Sequence, residues 1–156
     1  MIVIVGILSS IALPNFLSVV DKVRQKEVCV LLNGYIKAVQ ANYMEYGALP
    51  QNSKPLGQYV SILGCTSTLE KIDPSVCKSR PPVDLQKNPS TGWISQNGLY
   101  QIETSTGTWD VTLIATPTGG FKGYGCAACF DTRSGSFRVV EEKTKGNRPK
   151  PPECYQ

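Results

Sequence analysis

The residues best suited to chemistry in this 156-residue chain are six cysteines, Cys29, Cys65, Cys77, Cys126, Cys129 and Cys154, and the sequence has no histidine. Cys126 and Cys129 form a C-x-x-C, but there is no second such pair and no histidine to complete a zinc site. A thioredoxin-type C-x-x-C opens a helix after a strand, whereas residues 121–130 themselves read as strand. An even cysteine count in a small chain with an apolar start points to disulfides and an oxidising compartment. Without histidine, Ser–His and Cys–His nucleophiles are excluded. The carboxylates are scattered and form no catalytic pair. The stretch GGFKG at 119–123 lacks the spacing and the Ser/Thr of a phosphate-binding loop, and reads as a turn into a strand. No calcium-loop pattern occurs. The expectation is a chain that is not an enzyme, with no catalytic residue, metal, cofactor or small-molecule substrate.

The cysteines must be positioned by strands and a helix. Residues 99–104 and 109–116 alternate apolar and polar side chains, and 121–130 and 136–142 follow after turn-forming residues, which predicts three or four antiparallel strands. Neighbouring side chains on a strand point to opposite faces, so Cys126 and Cys129 cannot readily pair with each other. One of them is expected to reach Cys154, pinning the Pro-rich basic tail KTKGNRPKPPECYQ, and the other to reach Cys29. Six cysteines allow about 15 pairings, so this remains one arrangement among several. Residues 47–98 hold six prolines and read as a connecting loop region, with short helical turns at 60–63 and 67–72. Closing a small ring through Cys65 and Cys77 would stabilise that region by about 3 kcal/mol. Trp93 and Trp109 read as packing residues.

From Asp21 onward, Val28, Leu31, Leu32, Tyr35, Val39, Asn42, Tyr43 and Tyr46 recur at helical spacing, which predicts an amphipathic helix ending at Gly47 with Pro50 beyond. Phe16, Val19, Val20, Val23 and Val30 make a second apolar set that a monomer does not need. Ahead of Asp21 there is no charge at all. Twenty helical residues span about 30 Å, the thickness of a bilayer's hydrocarbon, and one helix through to residue 46 would be about 65–70 Å long. A secretory signal does not fit, because no basic residue precedes the apolar run. Lys22, Arg24 and Lys26 would place the rest of the chain in the cytoplasm by the positive-inside rule, whereas the cysteines favour the outside. Further basic residues ahead of Met1 would remove that conflict. Within the run, Pro14 removes a donor and crowds the Ser10 carbonyl, at a cost of roughly 3 kcal/mol. Gly6 costs about 1 kcal/mol relative to alanine, and Ser9 and Ser10 can soften the loss by bonding nearby carbonyls.

The stretch GILSSIALPNF at residues 6–16 resembles the N-terminal helix of type IV pilins and the related pseudopilins. The likeness is dense over residues 1–25 and looser up to Tyr46. The family's basic leader, its methylated first residue and the Glu that guides assembly have no counterpart here, so alignment on Gly6 and Pro14 implies mature residues preceding Met1. The implied fold is α+β: a long N-terminal helix, kinked or partly melted near Gly6–Pro14, packed on a three- to four-stranded antiparallel sheet. Gly6, Ser9, Ser10 and Pro14 would form the segment that loses helix in a filament. Residues 1–25 would be membrane anchor and filament core, 26–46 the amphipathic half of the same helix, 47–98 the connecting loop region, 99–142 the sheet and 143–156 the Cys-anchored tail. Subunit contacts would be made by Ile2, Val3, Ile4, Val5, Ile7, Leu8, Ile11, Leu13, Phe16, Leu17, Val19, Val20, Val23 and Val30. The implied function is a structural subunit polymerising into an extracellular type IV pilus serving adhesion, motility or DNA uptake. Its partners would be identical subunits, the inner membrane before assembly, the pilus assembly machinery, and DNA or surfaces. The alternatives are a pseudopilin of a type II secretion system and a DNA-binding minor pilin. In the latter, Lys143, Lys145, Arg148 and Lys150 would contact phosphates; the net charge of +4 permits this without requiring it.

Overall fold

In the computed structural model the chain from Ile2 to Tyr46 is one α-helix, α1, of 45 residues. It stops where expected: Gly47 takes a left-handed φ of 69° and its N–H donates to the Tyr43 carbonyl at 2.8 Å, a conformation open to glycine at little cost. The structure describes residues 2–51, 55–66, 83–84 and 92–155, with side chains from Leu17 onward except those of β1 and β2. The helix is continuous across Gly6 and Pro14 in the lone chain; the loss of helix expected there belongs to an assembled filament. A proline removes one hydrogen bond, and intact turns on both sides can hold the backbone helical.

The sheet is larger than the alternation suggested. Seven antiparallel strands run in the order β2-β1-β3-β4-β5-β6-β7. They are β1 Leu63–Thr66, β2 Val83–Asp84, β3 Trp93–Ser95, β4 Tyr100–Thr106, β5 Asp110–Pro117, β6 Cys126–Asp131 and β7 Phe137–Glu141. The last four correspond to the strands expected from the sequence, with β6 starting later, at Cys126. The first three lie inside 47–98, so that region is not simply a connecting loop. Each is four residues or shorter, and β3 is buried at every position, so no two-residue alternation is visible in any of them. The helical turn expected at 60–63 is instead a short 3-10 helix at Pro55–Gln58, with Leu63 already in β1. The turn expected at 67–72 lies outside the described residues. Gly64 is required on β1: a Cβ there would come within 2.3 Å of the Ile94 carbonyl oxygen and 2.9 Å of the Trp93 ring.

The register sorts the sheet into two faces. Ile102, Ala115 and Cys126 stand opposite one another, as do Leu113 and Ala128, and Val111 and Phe130. These residues share one core with Leu32, Tyr35, Ile36 and Val39 of α1. The other face carries Glu103, Ile114 and Ala127 in one row and Thr112 and Cys129 in the next. Ala127 and Cys129 are as buried there as their neighbours on the helix side. Among the described residues the C-terminal tail covers this face, fixed by Cys129–Cys154.

Candidate functional site

The helix stripe read from the sequence meets the sheet over about five turns. Val28, Leu32, Tyr35, Val39 and Asn42 are buried, and Tyr43 packs edge-on against Phe130 at 6.0 Å. Leu31 is only half-buried, and Tyr46 is exposed because the sheet ends before the last helical turn. Ile36 and Ala38, absent from the expected stripe, are buried. The helix axis thus runs from the Cys126 end of β6 towards its Asp131 end. We call the first the stem end, where α1 leaves the sheet, and the second the turn end, where the β4–β5 and β6–β7 turns lie.

At the stem end one buried polar residue ties helix to sheet. The Gln25 side-chain amide donates to the Gly125 carbonyl at 2.9 Å and to the Glu142 carbonyl at 2.7 Å. Around it, Lys26 pairs with Glu141 and Lys145 with Asp21, both at 2.5 Å, and the Arg24 guanidinium lies 5.2 Å from the Phe121 ring centre. Exposed ion pairs of this kind contribute little to stability; what they fix is the direction in which α1 leaves the head. Gln25 could not be picked out from sequence, since a glutamine between charged neighbours reads as solvent-facing.

Both described disulfides follow the expected pattern. Cys29 on α1 joins Cys126 on β6, with Cα atoms 5.5 Å apart, and Cys129 joins Cys154 in the tail at 5.9 Å, distances typical of such bonds. The alternation of faces along β6 makes this division possible: one cysteine reaches the helix and the other the tail. Cys65 stands on β1 with its side chain outside the described residues, and Cys77 lies outside them altogether, as does their expected pairing.

At the turn end, Asp131 is buried and organises the β6–β7 hairpin. Its carboxylate accepts from the Arg133 and Ser134 N–H groups at 2.9 and 3.1 Å and from Arg133 Nη2 at 2.8 Å. The Arg133 guanidinium in turn lies 4.3 Å from the Tyr155 ring centre. The Arg133 side-chain bond, aided by the two backbone N–H groups, holds the Asp131 carboxyl below the usual carboxylate range. A lowered folded-state value means that this contribution to stability is complete above the ordinary carboxylate range and is lost as pH falls through the lower, folded-state value. Asp131→Asn is therefore expected to unfold at lower denaturant concentration than the parent at pH 7, with the gap closing in acid. Denaturant midpoints measured across pH check this; a gap independent of pH would remove the ion pair as its cause. The D-T-R-S-G sequence could have signalled this turn, since aspartate readily bonds its own backbone two residues on.

Two core tyrosines and one surface tyrosine have raised values. Burial raises the Tyr35 hydroxyl to about 12 and pushes Tyr100 up as well, so both stay neutral at ordinary pH. Tyr59 is raised to about 12, chiefly by donating its hydroxyl proton to Glu45 in a hydrogen bond. A cavity of about 30 Å³ lies between Tyr35, Trp93 and Leu113, room for a water molecule or two. Among the described residues no cluster of three or more metal-ligating side chains occurs.

The residues expected to contact other subunits divide in two. Ile2, Val3, Ile4, Val5, Ile7, Leu8, Ile11, Leu13 and Phe16 lie on the α1 backbone with side chains outside the described residues, as do Gly6, Ser9, Ser10 and Pro14. Leu17, Val19, Val23 and Val30 are exposed, Val30 by 71%, while Val20 is half-buried. Val19, Val23 and Val30 share the helix face opposite the sheet. Among the described residues no helix is long and apolar enough to cross a membrane; the side chains of residues 1–16 fall outside that set. Of the four expected phosphate contacts, Lys145 and Arg148 are already paired, with Asp21 and Glu103, while Lys143 and Lys150 are exposed. Comparison with protein-family models, with curated proteins and with solved structures finds no match to this chain.

Proposed function

We propose that this chain is a pilin-like structural subunit that polymerises through α1 into an extracellular filament, after residence in the inner membrane. The observation that carries the reading is the reach of α1 beyond its head. Asp21 and Gln25 hold α1 to the head, and about twenty residues, or about 30 Å of helix, precede them. Those residues carry no charge, and the exposed Leu17, Val19 and Val23 continue the apolar surface toward the head. A lone subunit in water has nothing to cover such a surface; a bilayer or a bundle of identical helices does. The two disulfides suit a head that faces an oxidising exterior.

The pairing of Lys145 and Arg148 with carboxylates leaves less free charge for phosphate contacts, so a nucleic-acid role is the weaker reading. The test is electron microscopy of filaments sheared from native cells, with mass spectrometry of the same fraction. Thin filaments made chiefly of this chain are expected. Retention of the chain in membranes, with filaments lacking it, would overturn the reading in favour of a non-filament subunit such as a secretion pseudopilin.

A further inference from the structure

We infer that the head carries two complementary ends, and that the turn end of one copy docks on the stem end of the next; this rests on the filament reading above. Among the described residues, the stem end presents Lys22, Lys122 and Lys143, all exposed and without an ion-pair partner. Lys22 lies one turn before the helix–sheet contacts. Lys122 precedes β6, and Lys143 follows Glu142, whose N–H donates to the Gly125 carbonyl.

The turn end has the opposite character. Asp110 opens β5 directly opposite Asp131, and Glu153 adjoins the Cys154 anchor. Asp131 is neutralised by Arg133, but Asp110 and Glu153 have no ion-pair partner among the described residues. Asp110, Asp131, Arg133, Glu153 and Tyr155 line a cleft of about 250 Å³. Exposed apolar side chains stand at the same end: Tyr155 lines the cleft, Trp109 precedes Asp110 and Phe137 follows the β6–β7 turn, each more than 40% exposed. Hydrogen bonds from Thr132 to the Trp109 carbonyl and from Ser136 to the Cys154 carbonyl hold the turns and the tail together.

Isolated apolar residues at a surface need no explanation, whereas a gathering of them beside unpaired carboxylates is what an interface core and rim require. The partner is a second copy because the complement is carried by the same chain: basic groups around a projecting apolar helix at one end, acidic groups around aromatic rings at the other. Contact between two different faces of identical subunits repeats without closing, which gives an open filament. Opposed charges at such a contact set its direction and register more than its strength.

The test is zero-length carbodiimide cross-linking of the sheared filaments, which joins a lysine to a carboxylate in contact. The two ends are separated by the length of β5, eight residues or about 27 Å. A link from Lys122 or Lys143 to Asp110 therefore has to join two copies, and such links are expected. Asp110→Lys with Glu153→Lys is expected to lower filament yield about tenfold, as is Lys122→Glu with Lys143→Glu, while the combined quadruple variant regains it because the pairs act on one another. Filaments whose links join other positions, and whose yield ignores both charge reversals, would overturn this contact while leaving the filament reading intact. Filaments that lack this chain would overturn both. If a reversed variant fails to fold, the cross-link map of the parent still decides.

Discussion

Replacing Cys29 and Cys126 together with alanine is expected to lower the unfolding free energy by about 4–5 kcal/mol, the largest effect of any pair in the described part of the chain. The two cysteines are 97 residues apart, so their bond restricts nearly two thirds of the unfolded chain. The Cys129–Cys154 bond spans 25 residues, and its removal should cost about 3.5 kcal/mol on the same chain-entropy argument. The losses also differ in kind. Cys29 and Cys126 are both buried between α1 and the sheet, so their removal loosens the one junction on which the projecting helix depends. The second pair holds only the tail over the outer face. Guanidinium unfolding of the parent and of both double variants gives the comparison, and the slope with denaturant shows whether the tail is released before the head unfolds. A domain of ordinary stability, about 5–15 kcal/mol, would be left marginal by the first change. A larger loss from the tail pair would mean that covering Ala127 and Cys129 matters more than chain entropy.

Trp93→Ala is expected to cost about 3–5 kcal/mol. Trp93 is 2% exposed, packs edge-on against Tyr35 with ring centres 5.7 Å apart, and borders the small cavity beside Leu113. Truncation would enlarge that cavity with little scope for collapse, because Gly64 already lies against the ring. Trp93→Phe keeps most of the volume and should cost much less. Thermal or denaturant unfolding measures both, and fluorescence gives a second readout, since Trp109, the other tryptophan, is 54% exposed. Equal costs for Ala and Phe would show that the indole makes a specific bond rather than filling space.

The helix was legible because its signals are local. Its apolar positions recur every three to four residues from Val28 to Tyr43, and Gly47 closes it. The last four strands were legible for the same reason, each being five residues or longer. The first three were not, because strands of two to four residues carry too few positions for a period to show. The likeness at residues 6–16 suggested helix loss between Gly6 and Pro14 in a filament; the lone chain is helical through both. Lys145 and Arg148 read as a free basic tail, but their charges are committed to Asp21 and Glu103, partners 124 and 45 residues away.

What the sequence by itself determined is the uncharged first twenty residues, the long amphipathic helix behind them, the late strands, and the division of Cys126 and Cys129 between two faces. Each follows from local composition, from turn residues or from the period of a helix or a strand, which neighbouring residues fix among themselves. Only the tertiary structure decided that Gln25 holds α1 to the sheet, that Lys145 and Arg148 are paired with Asp21 and Glu103, and that the tail buries the outer face of β6. Those outcomes depend on groups brought together from 100 residues apart or more in the case of Gln25, and no local pattern records which distant backbone or charge a side chain will meet.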